Sequence, residues 1–167
     1  MRATYGRNLM AQRLLETHKI ESFVPMRKRT VKSGHRIKTD LIPVVRDLIF
    51  VHGEKAEIQE IKGRIPYLHY ITTQSAGRNT PTIVPDEQMK QFISVCNEMD
   101  DSAEILAGEE VRFDIGEKVR ITGGAFKGCE GRLVKIEGKR SKRFVVAIEG
   151  IIAVAVSGIT ADKIEKI

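Results

Sequence analysis

Apolar residues recur along this chain with two different periods, and the change between them divides it. From Asn8 to His18 the spacing is helical: Leu14 and Leu15 lie one turn beyond Met10 and Ala11, with Arg13, Glu16 and Lys19 left for solvent. The run IESFVP then predicts a strand closing at Pro25. Residues 41–52, LIPVVRDLIFVH, are dense in β-branched and apolar types, and Pro43 pushes the regular strand to Val44 through Val51. EKAEIQEIKG sets Ala56, Ile58 and Ile61 on a helix that stops at Gly63, and YLHYIT is a further short strand. The clearest helix lies in VPDEQMKQFISVCNEM. Pro85 suits its first position, Asp86 and Glu87 complement the positive end of its dipole, and Met89, Phe92, Ile93, Cys96 and Met99 recur at helical spacing. The order β-α-β-β-α-β followed by a helix predicts an α+β, ferredoxin-like domain with helices on one face of an antiparallel sheet.

Beyond residue 113 the period becomes two. EKVRIT alternates Val119 and Ile121 with Lys118, Arg120 and Thr122, and RLVKIEG and RFVVAIEGIIAVAVSG supply further strands broken at Gly138 and Gly150. Several short strands within about 50 residues predict a small, strongly bent all-β barrel. In GGAFKGCEGRL the glycines at 123, 124 and 128 suit turns with positive φ, Gly131 suits a bulge or corner, and Phe126 is free to fold back as a plug on the barrel end.

Charge sharpens this division. The 167 residues carry a net charge of +6, a moderate value, but the charges are segregated. Between Met26 and Thr39 stand Arg27, Lys28, Arg29, Lys32, Arg36 and Lys38 with no acid, and Ser33-Gly34 marks a turn, so a basic hairpin or loop is expected. Glu98, Asp100, Asp101, Glu104, Glu109 and Glu110 then follow without a Lys or Arg, which makes residues 100–113 the natural linker between a domain at 1–99 and one at 114–167. Composition is that of a soluble globular chain, with 41% hydrophobic and 30% charged residues. No run reaches the length of a membrane span, no signal peptide is visible, and two cysteines imply no disulfide framework, so a cytoplasmic, reducing setting is expected.

The phrase IGEKVRITGGAFKGCEGRLVKI resembles the KOW motif, through Gly116, Gly124, Phe126, Lys127, Gly128 and Gly131. Upstream, TYGRN before a helix, IESFVPM after it and RDLIFVH before a second helix resemble the N-terminal domain of NusG-type transcription elongation factors. YGRN, ESFVPMR and DLIFVH look closer to the UpxY-type paralogues, antiterminators of polysaccharide operons in Bacteroides-like bacteria. The resemblance covers nearly the whole chain and implies an SH3-like KOW barrel after the α/β domain. It further implies an apolar groove that grips the clamp helices of bacterial RNA polymerase, for which Val44, Val45, Leu48, Phe50, Tyr67 and Ile71 are the candidates, with Tyr70 as a neighbour. For a non-template DNA strand or nascent RNA it implies Arg7, Arg27, Lys28, Arg29, Lys32, Arg36 and Lys38, as phosphate contacts that fix register. Through the KOW domain it implies RNA, a ribosomal protein or a termination factor, with Lys127, the Lys139–Arg143 cluster and a tip near Glu149 to Ile152 as candidates. A monomer is expected. NusG-type domains open on an aromatic-rich strand, whereas this chain has no Trp and starts at MRATYGRN; either Met1 is internal to a longer reading frame or the first strand is short.

No enzyme, metal site or cofactor is expected. GGAFKGCEG lacks the lysine-serine/threonine end of a phosphate loop and precedes β-type sequence, His18, His35, His52 and His69 have no metal spacing, and no serine sits in a nucleophile elbow. Cys129, in a flexible basic turn that would lower its pKa, is the one candidate reactive thiol. The alternative to a transcription factor is a structural, ribosome-associated RNA-binding protein built on the KOW barrel.

Overall fold

The first helix shows how little apolar surface the N-terminal unit needs. In α1 (Asn8–Thr17) only Asn8, Ala11 and Leu15 are buried, three and four residues apart on one face. Met10 and Leu14, equally apolar in sequence, remain largely exposed because they lie off that stripe. The computed structural model describes residues 1–33, 36–75, 77–99, 103–107, 116–135, 142–148 and 150–167. Its contacts divide into two compact units, Met1–Ile83 and Val84–Ile167.

In the first unit β1 (Arg2–Ala3) precedes α1, and β2 (Glu21–Phe23) follows it. A long hairpin, β3 (Met26–Ser33) and β4 (Arg36–Pro43), leads to β5 (Phe50–His52), α2 (Lys55–Arg64) and β6 (Leu68–His69). A second hairpin, β7 (Thr72–Ser75) with β8 (Arg78–Pro81), closes the unit. With the hairpins set aside, the order is the expected β-α-β-β-α-β. All pairing is antiparallel: β1 with β6, β2 with β5, β3 with β4 and β7 with β8. Helix α2 opens with a capping box, in which Glu54 and Glu57 satisfy each other's backbone N–H groups. Ala3, Ala11, Leu15, Val24, Ile49, Ile61, Ile65 and Leu68 form the core between helices and strands. Burying each of its larger side chains contributes about 1.5–3 kcal/mol.

Residues 44–49 depart from the strand expected over Val44–Val51. β4 ends at Pro43 and β5 starts only at Phe50. The intervening backbone is held by other partners: Val44 N–H donates to Pro25 O at 2.9 Å, and Leu48 forms an isolated antiparallel bridge to Arg2. A β-branched run satisfies its backbone groups wherever acceptors lie, and here they lie off the strand path.

The second unit begins with α3 (Asp86–Glu98), whose Phe92, Val95 and Cys96 are buried. It continues through β9 (Glu104–Ala107), β10 (Glu117–Ile121), β11 (Glu130–Val134), β12 (Arg143–Ile148), β13 (Ile152–Val156) and β14 (Ile164–Lys166). These six strands form one antiparallel sheet in the order β14-β10-β11-β12-β13-β9, which fits the expected KOW-type barrel. Every residue of β13 is buried, the signature of a strand covered on both faces. α3 lies against β12 and β13, with Gln88 Nε2 donating to Ala147 O at 3.0 Å and Glu130 N–H donating to Gln91 Oε1 at 3.2 Å. The structure thus groups α3 with the C-terminal strands, whereas the sequence set it in the domain at 1–99. Glu104–Ala107, drawn from the acidic stretch read as linker, is an edge strand paired to β13.

Candidate functional site

The start of α1 gathers several of the candidate residues. A 3-10 turn, Thr4–Gly6, joins β1 to the helix. It is anchored by Ala3 N–H to Asp47 O at 2.7 Å and by Thr4 N–H to Tyr67 O at 2.9 Å. Asn8, only 1% exposed, donates through Nδ2 to both Val45 O and Leu48 O at 3.2 Å and accepts from Leu9 N–H through Oδ1. One side chain therefore ties the irregular 44–49 segment to the helix start.

Within that turn Tyr5 takes φ 62°, ψ 28°, and the residue is 82% exposed. A left-handed conformation costs a non-glycine residue about 1–2 kcal/mol. The Arg7 guanidinium carbon lies 5.4 Å from the Tyr5 ring centroid and 5.1 Å from that of Tyr67. An exposed contact of this kind returns about 0.5–1 kcal/mol, no more than the backbone strain costs. Gly6, also left-handed at φ 69°, is overlain by the Arg46 side chain; a methyl group there would sit 3.0 Å from Arg46 Nε. Arg2 pairs with Asp47 at 3.3 Å.

The apolar candidates separate by burial. Val44, Val45, Tyr67 and Ile71 are partly exposed, while Leu48 and Phe50 are 4% and 8% exposed. Leu48 and Phe50 are therefore interior side chains, whereas Val44 and Val45 reach the surface in part. Tyr67 packs on the core, and its hydroxyl is enclosed without a hydrogen-bond partner. Ile71 stands at the base of the β7–β8 hairpin, where its carbonyl accepts from Thr82 N–H at 2.8 Å.

The basic segment is the β3–β4 hairpin. Arg27, Lys28 and Arg29 are exposed, as is Lys38. The register sets Arg27 opposite Ile42, Arg29 opposite Asp40 and Val31 opposite Lys38. Alternation then puts Arg27, Arg29 and Lys38 on one face and Lys28 on the other, beside Leu41. Asp40 offsets part of this charge, at 3.1 Å from Lys38 Nζ. The side chains of Lys32 and Arg36 lie outside the described residues.

In the second unit the glycine-rich turn is closed by Gly128 N–H to Ile121 O at 2.7 Å and Ile121 N–H to Cys129 O at 2.9 Å. Gly124 and Gly128 are left-handed, at φ 85° and 87°. Gly131 makes no bulge: it sits in regular register opposite Val119, and the Phe144 ring and Val145 carbonyl occupy the space a side chain would need. Phe126 is half-buried, and Lys127 is exposed. Cys129, the candidate reactive thiol, is buried, and desolvation pushes its thiol up despite a hydrogen bond with Ser94. Cys96, on α3, is pushed up to about 12 by burial. Lys142 reaches Glu117 at 3.8 Å, while Lys139, Arg140 and Glu149 lie outside the described residues. Gly150 turns the chain at φ 70° and Ile152 is buried. Among the described residues no group of three His, Cys, Asp or Glu is placed to hold a metal, and no helix is long and apolar enough to cross a membrane.

The family model described as transcription termination factor nusG matches residues 1–93. Among solved structures, one titled "Domain interaction in Thermotoga maritima NusG" is similar at 19% identity and a TM-score of 0.45, covering 99% of this chain and 94% of that one. No curated protein matches the sequence.

Proposed function

Because the chain belongs to the NusG family of transcription factors, we propose that it is an elongation and antitermination factor that binds the RNA polymerase clamp through its first unit. The observation that carries this reading is the family match over residues 1–93, which spans that unit entirely. Val44, Val45, Tyr67 and Ile71 supply partly exposed apolar surface for the clamp helices, while Leu48 and Phe50 are buried in the unit. The Arg27, Arg29 and Lys38 face of the hairpin meets phosphates of a non-template DNA strand or nascent RNA, a contact that holds position without reading sequence. The C-terminal KOW sheet takes a ribosomal protein or a termination factor. The YGRN, ESFVPMR and DLIFVH phrases favour a specialised, cytoplasmic UpxY-type paralogue serving polysaccharide operons.

The test is binding to a stalled elongation complex, with terminator read-through scored in parallel for wild type, Val44→Asp and Val45→Asp. Loss of binding in the variants, with unchanged circular dichroism, supports the assignment. Undiminished binding would sink it. Affinity for structured RNA with none for polymerase would instead favour a structural KOW-type RNA-binding protein.

A further inference from the structure

We propose that the edge of β13 is an acceptor for an extended segment of a partner protein, and that β9 covers this edge within its own chain until such a segment replaces it. The inference rests on the reading that the second unit takes a protein partner, and it names the edge and the mode of contact. β13 pairs with β12 on one side and with β9 on the other. Its five residues, Ile152, Ala153, Val154, Ala155 and Val156, are all buried and include no charge and no proline. Proteins rarely leave a flat apolar strand of this kind open, because its N–H and C=O groups take up any extended chain that reaches them. Without β9 that row of backbone groups would have no partner.

The cover comes from outside the other barrel strands. Glu104–Ala107 belongs to the acidic stretch ahead of β10, and β10, β11 and β12 all lie between it and β13 in sequence. It supplies four residues, and Glu104, Ile105 and Leu106 are each half-buried, whereas the strand beside them is closed to solvent. β9 is also the last strand of the sheet, so among the described residues no strand pairs with its far side. The register shows what the edge accepts: Ala107 stands opposite Ile152, Leu106 opposite Ala153, Ile105 opposite Val154 and Glu104 opposite Ala155. Leu106 packs against the cluster of Val145, Ala153 and Ala155, where two alanines leave room for a branched side chain. The edge therefore takes an antiparallel segment with an acid, two apolar residues and a small residue in that order. Backbone bonds give the affinity, and the position of Leu106 gives the selectivity.

The probe is a labelled peptide of β9 and its flanks, SAEILAG, titrated against the full chain. In wild type the tethered strand competes at high local concentration. Replacing Ile105 and Leu106 together by Pro, which cannot donate to the ladder, should tighten peptide binding roughly ten-fold or more. Leu106→Ala, which keeps the backbone and removes the packing, should tighten it by a smaller factor. The same peptide with Pro in place of its Leu should bind none of the chains, and SAEILAG should move the amide signals of β13 in the double-proline chain. Equal peptide binding by wild type and both variants overturns the proposal, as does tighter binding that leaves the β13 signals in place. If the double-proline chain loses its circular dichroism signal, Leu106→Ala decides alone, and an affinity no greater than that of wild type refutes the edge. Ribosomes, as a second probe, separate the edge from the wider reading. Peptide capture without ribosome binding keeps the edge and removes the ribosomal partner; ribosome binding with no peptide capture by either variant keeps that partner and refutes the edge.

Discussion

Gly131→Ala is expected to destabilise the second unit through contact alone. Gly131 lies within β11 with φ outside the left-handed region, so its backbone would accept any residue. A methyl group there would lie 2.5 Å from the Val145 carbonyl oxygen and 2.7 and 2.9 Å from two carbons of the Phe144 ring. The oxygen belongs to the paired strand and cannot swing aside, and the ring is 1% exposed inside the core. Overpacking of this kind costs about 1–3 kcal/mol. For a unit of this size that corresponds to a fall of roughly 5–20 °C in melting temperature. Two controls separate contact from conformation. At Gly123 the nearest atoms are ordinary Lys163 side-chain neighbours at 3.7 and 3.8 Å, so Gly123→Ala should be close to neutral. At Gly124 there is open space but φ is 85°, so Gly124→Ala should cost about 1–2 kcal/mol from backbone strain. Adding Phe144→Leu to Gly131→Ala should recover only part of the loss, because the carbonyl clash persists. Thermal unfolding followed through the amide signals of β12 reads the unit directly. A Gly131→Ala variant melting with wild type would refute the argument.

Leu48→Asp should unfold the first unit, since an ionised group at a 4% exposed position has no partner there; circular dichroism should change, whereas in Val44→Asp it should not. Asn8→Ala should destabilise the same unit by about 1–3 kcal/mol, through two carbonyls left without their donor, and a normal denaturation midpoint would contradict this. Removing Arg27, Arg29 and Lys38 should flatten the salt dependence of single-strand binding by about two log units per log unit if each meets a phosphate. Cys96 and Cys129 should react slowly with a thiol reagent at neutral pH and rapidly once guanidinium is added, because their raised pKa values keep both protonated; fast native labelling would show that they are open.

Much of the fold was legible because it is local. The spacing of Ala11 and Leu15, the acids opening α3 and the alternation around Val119 and Ile121 each name an element within one turn or one strand. What escaped the sequence depends on partners far along the chain. Val44 and Val45 read as strand, but Asn8, nearly forty residues earlier, takes the Val45 carbonyl. Gly131 read as a bend, and only the position of Phe144 shows that it makes room for a ring. Leu48 and Phe50 became candidates through the family resemblance alone, since a run of apolar residues does not say which side faces water. The basic hairpin was visible as a charge run; the division of its cations between two faces needed the register. Tyr5 gave no signal beyond its neighbour Gly6, since strain is a property of the fold and not of composition.

The strand order β14-β10-β11-β12-β13-β9 also implies a sequence of events in time. β12 and β13 join through a tight reversal at Ile148 and Ile152, whereas Ala107 meets Ile152 only after about 45 intervening positions, which adds about 2 kcal/mol of chain entropy to closure. β14 must likewise return to β10 from the far end of the chain. The central meander should therefore assemble first and the two outer strands dock last. In the native state the same hierarchy runs backwards: the margins open while the centre holds, and hydrogen exchange should proceed inward from β9 and β14.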